Sequence, residues 1–152
     1  MIHELDLETI SMETLPLGCV SKIIENDLDS DIFGLCSSLM AMARTGRKDA
    51  LTLLFGIAWR NRDNYSRMTS FISAVRNYGH PEIIDFFASE LIRVPSSPSS
   101  RTYLRSLLKE LIRARTKQSS ELLSELQNDK RIGAKYRNAI KKYLNEDDTY
   151  ES

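Results

Sequence analysis

The chain has 152 residues, 41% of them hydrophobic and 28% charged. That composition places it with folded globular proteins and excludes the intrinsically disordered class. Its net charge of zero conceals segregation: residues 1–31 hold eight acids against Lys22 alone, residues 32–142 hold twenty bases against nine acids, and residues 143–152 add four acids and no base. Such asymmetry bears on partners rather than on fold, and it has two readings. Either the basic middle meets a polyanion, or the acidic ends fold back over it.

The length suits one domain over 1–152. Six glycines and four prolines leave few breaks, which favours long helices. The first residues, Met1 to Asp6, are acidic and have no apolar core, so no secretory signal is expected. Residues 1–29 read as an acidic capping segment, with a short helix at about 16–26 from Pro16, Leu17, Val20, Ile23 and Ile24. Cys19 and Cys36 sit in apolar, helix-like surroundings and read as small buried hydrophobes.

Between Ser30 and Arg44, the residues Ile32, Phe33, Leu35, Cys36, Leu39, Met40 and Ala43 follow helical spacing. After Thr45-Gly46 a second helix is expected at 48–60. It is apolar nearly all round, with Ala50, Leu51, Leu53, Leu54, Phe55, Ile57, Ala58 and Trp59, and a helix without a polar face should be central. The run is too short to span a bilayer. A cytoplasmic location follows as the expectation.

Asn61 to Asn64 forms the next break. The helix expected at 64–78 places Tyr65, Met68, Phe71, Ile72, Val75 and Tyr78 on one face, and Gly79 ends it. Pro81 restarts a helix at its first position, with Ile83, Ile84, Phe87, Leu91 and Ile92 inward. Val94 to Ser100 is a connection in which Ser97 before Pro98 reads as a cap. A helix at 99–115 carries Leu104, Leu107, Leu108, Leu111 and Ile112, and a shorter one at 118–128 carries Leu122, Leu123 and Leu126. A last helix is expected at 133–145, followed by a frayed acidic tail at 146–152. No alternating strand pattern occurs, so the expected class is all-α.

Three helix pairs can be laid over one another within 30–128: 30–44 with 48–60, 64–78 with 81–93, and 99–115 with 118–128. Gly46 and Gly79 hold equivalent corners. The stretch Ala74-Val75-Arg76-Asn77-Tyr78-Gly79-His80-Pro81-Glu82-Ile83-Ile84 resembles the corner of short HEAT-like repeats, with His80 where that family usually has Asp. The first pair lacks the Pro, and the third lacks the Gly. The resemblance implies a solenoid of stacked pairs whose second helices line a concave binding face, with the N-terminal segment and 133–145 as caps. The same periodicities also suit a non-repeating helical bundle.

No HExxH, CxxC, phosphate loop or GxGxxG is present. His3 lies near the terminus, and His80 lies at a helix corner where capping is the ordinary role. Asp27, Asp29 and Asp31 lack the glycine and closing Glu of a calcium loop. No catalytic residue, metal or cofactor is expected, and the chain does not read as an enzyme.

Function is then expected on the surface. The first expectation is a protein-interaction module, such as an adaptor, an inhibitor or an immunity-type partner. It would use the second-helix positions Trp59, Arg60, Asp85, Ser89, Arg93, Glu121 and Glu125. Trp and Arg are enriched at interface hot spots. The alternative is a nucleic-acid-binding domain using the basic 101–142 surface, above all Arg101, Arg105, Lys109 and Arg113, which recur every four residues along one helical flank. No membrane partner is expected.

Overall fold

The computed structural model describes the backbone of residues 32–151 and the side chains of residues 32–146. The expectations for 1–31, including the short helix, Cys19 and the capping role, lie outside the described residues. The described chain is all-α: α1 Ile32–Arg44, α2 Lys48–Asn61, α3 Tyr65–Val75, α4 Pro81–Arg93, α5 Arg101–Ala114, α6 Lys117–Leu126 and α7 Ala134–Glu151. The chain divides between Val75 and Arg76 into two compact units. The division falls within the stretch laid out above as the second helix pair, so α3 and α4 belong to different units.

In the first unit α1 packs on both α2 and α3. Its stripe of Ile32, Leu35, Cys36, Leu39 and Ala43 is buried, as helical spacing requires. Gly46 turns the chain into α2 at φ +96°, a conformation that only glycine adopts freely. Arg47 follows at the N-cap position and is buried, its guanidinium 2.7 Å from the Asp49 carboxylate. One expectation needs correcting here. α2 is not covered all round: Ala50, Leu51, Leu54, Ile57 and Ala58 are buried, whereas Thr52, Gly56, Trp59 and Arg60 form an exposed stripe and Phe55 is only partly buried. The apolar count misleads because Gly56 and Thr52 give that stripe little to bury.

Asn61 is buried at the end of α2, donating to the Ile57 carbonyl and accepting from Arg67. Asn64 caps α3, its side-chain oxygen accepting the Arg67 N–H at 3.1 Å, as an N-cap residue does. α3 ends at Val75, three residues before the expected end. Asn77 enters the left-handed region at φ +65°, ahead of Gly79 at +73°, and Asn tolerates that conformation better than most residues.

The second unit opens as the sequence indicates. His80 occupies the N-cap of α4, its Nδ1 accepting the Glu82 N–H at 3.1 Å, and Pro81 takes the first turn. α5 starts later than expected, because Ser97 to Ser100 first form a hydrogen-bonded turn. Ser100, not Ser97, precedes the helix, and its buried hydroxyl donates to the Pro95 carbonyl at 2.6 Å. Arg115 ends α5 at φ +51°, taking the left-handed position that glycine usually fills. Thr116 and Ser119 then close a reciprocal capping box on α6, so that helix begins at Lys117. α7 runs through Glu151, beyond the end expected at 145, since neither Gly nor Pro interrupts Ala134–Glu151.

α4, α5 and α6 pack pairwise, and α6 also packs on α7. α4 and α5 bury their residues in one register: Ile83, Ile84, Phe87, Ala88, Glu90 and Leu91 on the first, and Tyr103, Leu104, Leu107, Leu108, Glu110 and Leu111 on the second. The tetrapeptide Glu90-Leu91-Ile92-Arg93 recurs as Glu110-Leu111-Ile112-Arg113. In both copies the Glu is buried and the Arg three residues on forms an ion pair with it.

Between α6 and α7, Asp129 accepts from the Arg131 backbone N–H and from its guanidinium at 2.7–3.0 Å. The Arg131 side-chain bonds, and then its backbone N–H, hold the Asp129 carboxyl at about 2, below its ordinary 3.8. A carboxyl with a depressed folded pKa stabilises the fold above its unfolded pKa and loses that contribution as pH falls through the folded value. The turn should therefore stay ionised at pH 3, and a carbon-detected NMR titration of Asp129 with its midpoint near 4 would contradict this.

Candidate functional site

The residues proposed for partner binding fall into both units. On α2 of the first unit, Trp59 is 68% exposed. It follows Ile57 and Ala58, which point inward, and so projects from the opposite side of the helix. The Arg62 guanidinium carbon lies 4.1 Å from the Trp59 ring centroid. A cation over an indole face contributes about 0.5–1 kcal/mol at an exposed site. That stacking limits the rotamers of a side chain which would otherwise be free. Arg60 is exposed beside it. Trp59 belongs to the apolar run expected to be central, yet it stands on the surface. Phe33 of α1 is the other large hydrophobe left exposed among the described residues.

In the second unit the expected positions separate by role. Asp85 and Ser89 are exposed one turn apart on α4. Asp85 accepts from Gln118 Nε2 at 2.8 Å, and the same amide reaches the Pro81 carbonyl at 2.9 Å, tying the start of α6 to the start of α4. Glu121 follows Gln118 by one turn on α6, with Glu125 another turn on, and both are exposed. The structure thus brings Asp85 near the α6 face that carries Glu121. The Lys117–Glu121 pair is 4.0 Å apart and open to solvent, so it constrains little. Arg93 is exposed as well, but its side chain is tied to a buried acid. Its guanidinium donates twice to the buried Glu90 at 2.5 and 2.8 Å, and the Tyr103 hydroxyl donates to the same carboxylate at 2.7 Å.

The basic flank of α5 is present as spaced. Arg101, Arg105 and Lys109 are exposed and make no hydrogen bond or ion pair among the described residues. Arg113 differs, because its guanidinium reaches Glu110 at 3.5 Å. Glu82 and Asp85 are exposed on α4, and Glu121 and Glu125 on α6 beside the exposed Lys117.

Two features escape the sequence patterns. Glu90 and Glu110 lie on the buried sides of their helices, and only the repeated tetrapeptide signals it. Arg62 stands just past the helix end beside Trp59, and its stacking on the indole ring is visible only in the structure. Among the described residues no three His, Cys, Asp or Glu side chains come together as a metal site would need. No helix there is long and apolar enough to cross a membrane. No family model, curated protein or solved structure matches this chain.

Proposed function

We propose that this protein is a non-catalytic protein-binding module, with Trp59 as the anchor of its contact surface. One observation carries the reading: a large aromatic side chain stands two-thirds exposed, 68%, and is held in place by Arg62. Leaving an indole in water forgoes the stabilisation of burial, and pre-ordered Trp and Arg side chains dominate the energetics of protein interfaces. The HEAT-like reading gives this position a role, since second helices line the binding face in that class. The left-handed Gly79 and the His80-Pro81 start of α4 support the resemblance at its one specific corner.

The test uses the chain's single tryptophan. Affinity enrichment from the source cell, with nuclease present, should recover proteins that Trp59→Ala no longer retains. Purified partner should then shift Trp59 emission to the blue as the ring leaves water. Because Trp59 is exposed, the substitution should leave the far-ultraviolet circular dichroism unchanged. Partners retained by the variant, or an emission spectrum unmoved by them, would sink the reading.

Arg101, Arg105 and Lys109 of α5, exposed and without an ion pair among the described residues, favour a second reading, a polyanion-binding surface. Replacing Arg101, Arg105 and Lys109 by Gln should then weaken nucleic-acid binding for every sequence. The slope of its salt dependence should flatten by about one for each phosphate no longer neutralised. Absence of any binding by the unaltered protein at physiological salt excludes it.

A further inference from the structure

A cleft of about 260 Å³ opens in the second unit, where the α4–α5 connection meets the start of α7. Leu91, Val94, Leu104, Ile132 and Tyr136 give it apolar walls, and Lys130, Arg131 and Arg137 also line it. Three observations set it apart from an ordinary surface dent. Arg137 Nε is closed off from solvent yet has no hydrogen-bond partner among the described residues, and a buried donor in that condition is uncommon. A Cβ on Gly133 would sit in ordinary van der Waals contact with the Tyr136 ring at 3.5 Å and Ser96 at 3.7 Å, so a methyl there would occupy part of the cleft without a clash. α7 also begins without a capping side chain at that glycine. The Tyr136 and Arg137 N–H groups turn back to the Gly133 carbonyl, while those of Ala134 and Lys135 find no acceptor among the described residues.

The charges agree. Asp129 is the nearby acid and is committed to Arg131. Arg137 feels the Asp129 charge, but neither the Lys130 ammonium nor the Arg137 guanidinium is hydrogen-bonded to an acid among the described residues, which leaves both for an incoming group. Guanidinium donors and uncapped helix N–H groups both prefer an oxyanion. The apolar walls favour a hydrocarbon body, and the volume lies below the roughly 300–1,000 Å³ of sites for drug-sized ligands.

We propose that this cleft binds a small amphiphilic anion: a carboxylate or phosphate monoester carried on a few carbons. The head group takes Arg137, Lys130 and the first turn of α7, and the chain lies against Leu91, Leu104 and Tyr136. The site is independent of the Trp59 surface.

The test is an NMR titration of the full-length protein with hexanoate, hexyl phosphate, inorganic phosphate and hexanol. Either hexanoate or hexyl phosphate should move the backbone amides of residues 133–135 and the Arg137 Nε–H, and the tighter of the two identifies the head group. Inorganic phosphate and hexanol should each bind roughly tenfold or more weakly, since each lacks one half of the recognition. Arg137→Met keeps the bulk of the side chain and should weaken binding by a similar factor. Gly133→Ala, which places a methyl against Ser96 and Tyr136, should weaken it without changing the fold. Arg105→Gln, on the exposed flank of α5, should leave it unchanged. Amides 133–135 unmoved by any probe would overturn the proposal. So would inorganic phosphate binding as tightly as hexyl phosphate, or Arg105→Gln weakening binding as much as Arg137→Met.

Discussion

Phe87→Ala should lower the unfolding free energy by about 3–5 kcal/mol, the usual result of deleting a buried aromatic ring. Phe87 is 4% exposed on α4, the helix that packs on both α5 and α6. The lost burial is compounded by a cavity that two helices cannot both collapse to fill. Domain stabilities are about 5–15 kcal/mol, so this one change removes a large share. Phe55→Ala should cost clearly less, although the sequence alone gives the two residues equal standing, because Phe55 is only partly buried. Urea denaturation followed by circular dichroism measures both. Equal losses would mean that Phe55 is as enclosed as Phe87, and a loss below about 1 kcal/mol for Phe87 would contradict its placement in the core.

Glu90 and Glu110 are held differently despite their identical tetrapeptides, and substitutions around them should differ in effect. Glu90 is buried and receives two hydrogen bonds from Arg93 and one from Tyr103. Tyr103→Phe leaves that carboxylate one donor short, at a cost of about 1–3 kcal/mol. Removing a partner from a buried charge pair costs about 3–5 kcal/mol. Arg93→Met should fall short of that, because the Arg93 side chain is one-third exposed and water can replace part of the missing interaction. Glu110 is nearly as buried, yet among the described residues its carboxylate has only one long contact, 3.5 Å to Arg113. The desolvation of its carboxylate is poorly offset, so Glu110→Met should be neutral or stabilising. A double-mutant cycle on Tyr103 and Glu90 should show strong coupling. Strong destabilisation by Glu110→Met would show that the long contact understates what holds Glu110.

Sequence alone determined the helices and most of their inward faces. Leu35, Leu39, Leu54, Met68, Phe71, Ile83, Phe87, Leu104, Leu107 and Leu111 are all buried, because apolar residues at helical spacing have only one way to leave water together. It also determined the start of α4, since proline at the first position and a side-chain acceptor before it are local devices. Helix ends proved harder to read. Asn77 and Arg115 take left-handed conformations that glycine usually signals, and Ser100 displaces Ser97 through a turn closed by several serines.

Tertiary structure alone decided which apolar residues remain in water. Trp59 and Phe55 belong to the same apolar run as Leu54 and Ile57, and what separates them is which side of α2 a neighbouring helix covers. It also decided the ionic roles. Arg93 and Arg113 are alike in sequence, but the Tyr103 hydroxyl donates to the carboxylate beside Arg93, and no second described side chain donates to Glu110. The cleft joins Ser96 and Leu104 to Gly133 and Arg137, residues too far apart along the chain for any local pattern to relate them. Helical periodicity reports on one helix at a time. The surfaces on which function is proposed here are made where helices meet, or where none arrives.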